Sequence, residues 1–198
     1  MRKLLVIIWL MLLASTLGAL FWYNELVYHL PTPVPAGYKA VGQGTFIKLR
    51  GPLAENFSKP ILLHFFNPDC PCSRFNITNF RALVKQYGGK VNFVVVVLHN
   101  SYYTAKQIQD KFDLDVPVTF DASLATACGV YSTPQAVLLD ARHKLYYRGN
   151  YNSSRYCTDE KTNYAKMAIM GLLNDHARII FNQLALRAYG CRLPNCKQ

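Results

Sequence analysis

A run of apolar residues that leads directly into two closely spaced cysteines constrains the fold of this chain more than any other feature. Residues 61–66 read ILLHFF, and Asn67-Pro68-Asp69-Cys70-Pro71-Cys72-Ser73 follows them. The continuous apolar run predicts a buried strand, and the apolar spacing over residues 73–87 predicts a helix. A cysteine between them lies at a helix N-terminus, where free N–H groups and the dipole stabilise a thiolate. Because the thiolate is the nucleophilic form, the pattern predicts reactive thiols at Cys70 and Cys72.

The N-terminal segment predicts a membrane anchor over residues 1–23. Arg2 and Lys3 precede the uncharged residues 4–23, and a helix of that length covers ~30 Å, enough to cross a bilayer. The aromatic residues 21–23 are typical of a membrane interface. An uncleaved anchor is favoured over a cleaved signal peptide, because the apolar run continues past the poor to fair cleavage sites. The basic pair favours a cytoplasmic N-terminus, with the rest of the chain on the other side of the membrane.

Composition indicates a globular chain. The 198 residues, 51% of them hydrophobic, suffice for one domain with a core. The formal net charge of +11 is compatible with an anionic partner or a basic solvated surface. Lysine and arginine are scattered with no run of five like charges, so nucleic-acid binding has little support.

Four further cysteines are available for disulfides outside the cytoplasm. Cys157 follows the last predicted strand, and Cys191 and Cys196 lie in the C-terminal tail. One interpretation is a structural bridge that pins the C-terminal helix, either Cys157–Cys191 or Cys191–Cys196. The other is that the tail dithiol passes electrons to Cys70. Cys128 is expected to be a buried, small hydrophobic residue.

The predicted elements alternate between strand and helix, which indicates an α/β fold with a mixed sheet and helices on both faces. A proline-containing linker, expected to be a stiff extended spacer, covers residues 24–43. A domain at 44–174 follows, and then a C-terminal helix and cysteine-containing tail at 175–198. The predicted strands are 44–50 (at the sheet edge), 61–66, 91–98, 135–139 and 145–151. The predicted helices are 73–87, 104–112, 124–128, 159–173 and 176–189.

Residues from about 44 to 174 resemble the thioredoxin superfamily. The strand before Cys70 is one matching feature, and the terminal hairpin at 135–149 is another. The third is Thr133-Pro134, which stands where that superfamily keeps a cis-proline facing the active thiol. The resemblance implies a membrane-anchored bacterial thiol–disulfide oxidoreductase, redoxin-like, that faces the periplasm from the inner membrane. It implies protein thiols or disulfides as partners, held in part by Pro134, and no cofactor.

The cysteine motif departs from the family pattern. The usual Cys-x-x-Cys is Cys70-Pro71-Cys72-Ser73 here, so either Cys72 or Ser73 takes the resolving position. A Cys70–Cys72 disulfide would close a small ring and require local strain, which favours an oxidant or isomerase over a strong reductant. His64 replaces the buried acid of many members. It is either a proton relay, since imidazole has a suitable pKa, or a core histidine.

Three other functions compete with this one. Two thiolates at Cys70 and Cys72 near an imidazole suit Cu(I), as in a copper metallochaperone. However, the copper-delivery members of the superfamily usually carry a histidine where this chain has Ser132 and Thr133. A thiol peroxidase is less favoured, because the peroxiredoxin pattern around Pro68 is incomplete. A domain without activity that only binds a partner is the last alternative.

Overall fold

A five-stranded mixed sheet forms the centre of the protein in a computed structural model that describes residues 2–53, 58–98, 102–154, 157–174 and 179–193. The strands of this sheet are β1 (Ile61–Phe66), β2 (Asn92–Val97), β3 (Val118–Thr119), β5 (Gln135–Leu139) and β6 (Leu145–Gly149). Their order is β3-β2-β1-β5-β6. A separate two-stranded sheet pairs β4 (Ser132–Thr133) with β7 (Cys191–Arg192). The helices are α1 (Arg2–His29), α2 (Pro71–Tyr87), α3 (Ala105–Phe112), α4 (Ser123–Cys128), α5 (Tyr164–Leu173) and α6 (Gln183–Leu186).

β1 occupies the middle of the sheet and is buried along its whole length. It pairs in parallel with β2 and antiparallel with β5, so His64 lies between Val95 and Ala136. The backbone of β1 is hydrogen-bonded to a strand on each side, and hydrophobic side chains cover both faces of the strand. This burial explains its unbroken apolar sequence.

Two hydrophobic cores lie on opposite faces of the sheet, because successive side chains of a strand point to opposite sides. One core contains Leu62 and Phe66 with side chains of α2, α3 and α5. The other contains Leu63 and Phe65 with α4 and the apolar residues of segment 47–53. This arrangement, a mixed sheet with helices on both faces and a terminal antiparallel hairpin, is a thioredoxin-like fold and confirms the predicted fold class.

Most predicted elements form within one or two residues of their expected bounds. The strands 61–66 and 135–139 agree at both ends. The α3 helix is capped as expected: the Thr104 hydroxyl accepts from the Gln107 N–H, and the Gln107 side chain accepts from the Thr104 N–H. The helix predicted at 159–173 is divided into a 3₁₀ turn, Glu160–Thr162, and α5.

Two predicted elements are wrong. Residues 44–50 form an isolated bridge, Phe46 to Lys144, and backbone hydrogen bonds to residues 143–145 instead of a continuous strand, although Ile47 and Leu49 point inward as the alternation required. The expected helix at 176–189 is reduced, within the described residues, to the four residues of α6. Asn182 begins this helix by accepting from the Ala185 N–H, so the preceding described residues, 179–181, lie outside it.

The N-terminal helix is long and apolar enough to cross a membrane over Arg2–Tyr23, and none of that stretch is buried in the protein. By length and composition it is therefore a candidate membrane span. Beyond α1, the linker is not a free spacer. Thr32 is buried, and the Tyr38 hydroxyl donates to the Gly129 carbonyl at 3.0 Å.

Candidate redox site

Cys70 lies where β1 ends and α2 begins. It is the N-cap residue of α2, with extended backbone angles (φ −84°, ψ 124°), and Pro71 is the first helical residue. Proline suits that position, since its missing N–H would have no partner within the helix and its φ is already helical. The Cys70 carbonyl accepts from the Arg74 N–H at 3.2 Å, which closes the first turn. The cysteine predicted as nucleophile is thus at the positive end of a 17-residue helix.

The structure joins Cys70 to Cys191 in a disulfide that spans 121 positions of the sequence. The sulfurs of Cys70, Cys72 and Cys191 all lie within 4.8 Å of one another. The exposed fractions of these residues are 0%, 4% and 3%, so the centre is closed to solvent. Neither of the two predicted bridges to Cys191 forms, because Cys191 is bonded to Cys70, and Cys157 is a thiol. The alternative partner, Cys196, lies outside the described residues.

The question of the resolving position has a partial answer in the geometry. Ser73 is fully buried, and its hydroxyl accepts from the Asn67 N–H at 3.2 Å, so it supports the turn that carries Cys70. Cys72 places its sulfur within the cysteine cluster. Thus Cys72 is the residue of the motif that brings a second sulfur to Cys70.

A short antiparallel pairing holds Cys191 at the site. β7 runs beside β4, with Cys191 opposite Thr133 and Arg192 opposite Ser132, and the Leu193 N–H donates to the Tyr131 carbonyl at 3.2 Å. The next peptide bond after β4, Thr133–Pro134, is cis, as the resemblance implied. The C-terminal tail therefore lies as an extended strand against the segment that leads into Pro134.

Thr32 ties the linker to this strand pair. Its N–H donates to the Ala188 carbonyl at 2.8 Å, and its hydroxyl donates to the Gly190 carbonyl at 3.0 Å. The Thr32 and Ser132 hydroxyl oxygens are 3.1 Å apart. Since the one hydroxyl proton of Thr32 goes to Gly190, the Ser132 hydroxyl is the donor in that pair. One buried threonine thus contacts both strands that position Cys191.

Asn150 fixes the start of the tail. Its side-chain amide donates to the carbonyls of Leu184 and Arg187 at 2.7 and 2.6 Å, and its N–H donates to the Ala185 carbonyl at 2.8 Å. These bonds hold α6 against the end of β6. Asn150 therefore anchors the chain to the sheet a short distance before Cys191 and its disulfide.

His64 is a buried, neutral residue in this structure. Its Nδ1 and the Tyr151 hydroxyl oxygen are hydrogen-bonded at 2.8 Å, and its ring stacks on Phe80 at 4.4 Å between centroids. Burial lowers the pKa of His64 from 6.5 to about 3. Nε2 has no hydrogen-bond partner among the described residues. The contacts described for this ring are with aromatic residues of the core, and a role as proton relay stays a prediction.

The two remaining described cysteines lie outside the cluster. Cys128 is fully buried at the end of α4, as predicted, and burial raises its pKa to about 12. Cys157 accepts from the Asn76 side-chain amide at 3.1 Å, and burial raises its pKa to about 12 as well. Both thiols are therefore protonated and unreactive at neutral pH.

Cys191, Thr32 and Ser132 are the residues of this site that sequence reasoning did not place. The sequence interpretation paired Cys191 with Cys157 or Cys196, or placed it in a tail dithiol that passes electrons to Cys70, but it did not predict a Cys70–Cys191 disulfide. The contact lies 121 positions away along the chain, and nothing in the local pattern around either cysteine predicts it. A single threonine between two prolines, as in Pro31-Thr32-Pro33, carries no signal for a buried hydrogen-bonding role.

Solved structures of similar shape exist at low sequence identity. A hypothetical protein from Sinorhizobium meliloti has a TM-score of 0.63 and 17% identity, and the match covers 78% of this chain and 95% of that chain. An uncharacterized conserved protein from Geobacillus kaustophilus has a TM-score of 0.62 and 16% identity, covering 82% and 97%. A thiol:disulfide interchange protein of the thioredoxin family from Chlorobium tepidum is more distant, with a TM-score of 0.45, 18% identity, and coverage of 58% and 81%. At these identities the likeness concerns the fold alone.

Comparison of sequences identifies the family. No curated protein sequence matches the chain. A family model described as a domain of unknown function, DUF6436, matches residues 43–195. The match extends over the sheet, the helices packed on it and the tail that carries Cys191. This chain belongs to the DUF6436 family.

Proposed function

We propose that this protein is a membrane-anchored thiol–disulfide oxidoreductase that exchanges disulfides with protein partners through Cys70 and Cys72. The observation that carries the proposal is the position of Cys70: its sulfur is at the N-terminus of α2, in a disulfide, with a second motif sulfur within 4.8 Å. Thiol–disulfide exchange requires a thiolate close to a disulfide sulfur. The helix N-terminus stabilises the thiolate that Cys70 becomes on reduction.

The site residues have separate roles in this proposal. Cys70 attacks or is attacked by the partner sulfur, and Cys72 resolves the mixed disulfide. Pro134 and the backbone beside it position the partner segment. His64 lies on the strand that ends at the cysteine turn, and a proton relay through it would have to work from a neutral imidazole.

The anchor and compartment belong to the same proposal. Residues 1–23 cross the membrane, and Arg2 and Lys3 hold the N-terminus in the cytoplasm. The domain from residue 44 onward then faces the periplasm, a compartment in which disulfides persist. Protease digestion of intact spheroplasts tests this placement: the domain should be cut from outside, and protection of the domain would contradict the proposal.

The central experiment measures catalysed exchange by the full-length protein in detergent micelles. We expect the protein to accelerate both the oxidation of a reduced model protein and the dithiothreitol-driven reduction of insulin, relative to Cys70→Ser. The ratio of the two accelerations gives the direction of electron flow. Cys128→Ala is the matched control, since Cys128 is buried in the core beside α4, outside the cluster of Cys70, Cys72 and Cys191, and should not affect the rate. Equal rates for the protein and Cys70→Ser in both assays would refute the proposal.

Cu(I) binding is the second candidate, favoured by the third sulfur. The sulfurs of Cys70, Cys72 and Cys191 lie within 4.8 Å of one another, and the soft thiolates that reduction of the disulfide would release select Cu(I). Titration of the reduced protein against a coloured Cu(I) chelator tests this function. Retention of one Cu(I) by the protein, lost in Cys72→Ser and Cys191→Ser but kept in Cys128→Ala, would support a copper carrier.

A further inference from the structure

We propose that the tail segment, residues 188–193, is a seal on the candidate redox site that an internal thiol–disulfide exchange releases, and that Cys191 is the third redox residue of the site. This inference rests on the proposed function. In the structure the site is occupied by the protein's own chain: Cys191 is bonded to Cys70, and its strand covers the backbone that leads into Pro134. The arrangement is that of a mixed disulfide with an extended partner segment, made within one molecule.

Burial shows why the seal must open before a partner can react. Cys70 is 0% exposed, and Cys72 and Cys191 are 4% and 3% exposed. A thiolate from another protein needs a direct approach to a disulfide sulfur, along the line of the bond that breaks. With the tail in place, no sulfur of the cluster offers that approach.

The third sulfur supplies a way to open the seal without any outside reagent. The Cys72 thiolate attacks the Cys70 sulfur, the Cys70–Cys72 bond forms, and the Cys70–Cys191 bond breaks. Cys191 leaves as a thiolate and takes up the proton that Cys72 lost. One disulfide and one thiol are present before and after, so the step needs no oxidant or reductant.

The sealed and the open state differ in which disulfide is formed and in which surface a partner protein can reach. In the sealed state the Cys70–Cys191 bond protects the site. In the open state the β4 edge at Ser132 and Thr133 is available to an extended partner segment, and the disulfide is Cys70–Cys72. The one-residue spacing makes that second disulfide strained and readily attacked, so the sealed state is favoured at rest. A partner captures the open state by reacting with it.

Several hydrogen bonds set how firmly the tail is held once the disulfide has moved. Thr32 bonds to the carbonyls of Ala188 and Gly190, and the Leu193 N–H bonds to the Tyr131 carbonyl. Gly190 has φ +135°, and a side chain there would collide with the Thr133 carbonyl. The tail is thus docked at a position where only glycine fits, and a substitution at that position loosens it.

Alkylation of the oxidised full-length protein tests the exchange step. The protein in detergent is treated with iodoacetamide at mildly alkaline pH, and peptide mapping under non-reducing conditions assigns the label and the disulfide. We expect the label on Cys191, together with a Cys70–Cys72 disulfide. Cys72→Ser lacks the one thiol that the described residues place beside the disulfide, and it should keep Cys70–Cys191 without label on Cys191. Label on Cys72 with Cys70–Cys191 intact, or no label on either cysteine in the native protein, would overturn the proposal.

A glycine pair tests the docking of the tail. Gly190→Ala should increase the rate of Cys191 labelling by about tenfold, which corresponds to the loss of one or two hydrogen bonds. Gly42→Ala is the control, since a side chain at Gly42 would meet nothing within 4 Å. Equal labelling rates for the two variants would count against docking as the restraint.

The labelling result and the catalytic assay separate the two proposals. If the protein catalyses exchange but Cys191 never leaves Cys70, the proposed seal is refuted and the proposed oxidoreductase function is supported. If Cys191 is released but the protein accelerates neither oxidation nor reduction, the proposed seal is supported and the proposed oxidoreductase function is refuted.

Discussion

The hydroxyl of Thr32 donates a 3.0 Å hydrogen bond to the carbonyl of Gly190, and so joins the segment after the N-terminal helix to the residue before Cys191. The same side chain accepts from Ser132 on the opposite strand. Thr32 is 6% exposed, so water does not compete for these bonds. Three parts of the chain that are far apart in sequence, around Thr32, Ser132 and Gly190, are therefore hydrogen-bonded to one another beside the disulfide.

Replacing Thr32 with valine should loosen the tail without changing its shape. The variant loses the bonds to Gly190 and Ser132, at a cost of about 1–2 kcal/mol in docking free energy. Amide hydrogen exchange of the peptide containing Arg192 and Leu193 should become about 5- to 30-fold faster in reduced protein. The control is Thr45→Val at an exposed position. Unchanged exchange in Thr32→Val would show that the disulfide alone holds the tail.

The Tyr151 hydroxyl should contribute measurably to stability. Tyr151→Phe removes the 2.8 Å bond to His64 and leaves a fully buried imidazole nitrogen without a partner. We expect a loss of about 1–3 kcal/mol in the free energy of unfolding, measured by urea titration. Tyr102→Phe should have no effect, because Tyr102 is 98% exposed. Equal stability of the two variants would mean that His64 finds another partner.

His64 should make the protein less stable in mild acid. Its pKa is about 3 in the folded protein and 6.5 in the unfolded chain, so between these values only the unfolded chain binds the proton. The stability from neutral His64 is complete above pH 6.5 and is lost as the pH falls toward 3. The free energy of unfolding should therefore be about 2 kcal/mol smaller at pH ~5 than at pH ~7.

A pair of histidine variants isolates this effect. His64→Gln keeps a hydrogen-bonding side chain for Tyr151 and should remove most of the loss between these two pH values. His143→Asn changes a histidine in the β5–β6 turn and should leave the loss unchanged. If His64→Gln kept the full pH dependence, another group would be responsible.

Cys128 and Cys157 should resist alkylation in the folded protein. The pKa of each is raised to about 12 by burial, so the reactive thiolate is scarce at neutral pH. Mass spectrometry after iodoacetamide treatment should find both unlabelled in native protein and labelled after unfolding in guanidinium chloride. Rapid labelling of either in the native state would contradict its burial.

The sequence by itself was enough to predict four strands of the central sheet, most of the helices and the cysteine turn, but not the two-residue strands β3, β4 and β7. The pattern over residues 61–87 determines a buried strand, a cysteine turn and a helix through local propensity and burial alone. Thr104 as a helix cap and Cys128 as a buried residue follow from the same kind of local reasoning. Such features depend on neighbours within a few residues, which the sequence displays directly.

Only the tertiary structure decided which sulfur Cys70 meets. The pairing with Cys191 depends on how Asn150 holds α6 and on how β7 lies beside β4, and the sequence places all of these far from Cys70. The helix expected at 176–189 gave way, within the described residues, to the short α6, because side chains elsewhere in the fold satisfy its backbone groups. Disulfide partners and strand pairs between distant segments are set by the packing of the whole chain, so local sequence patterns do not determine them.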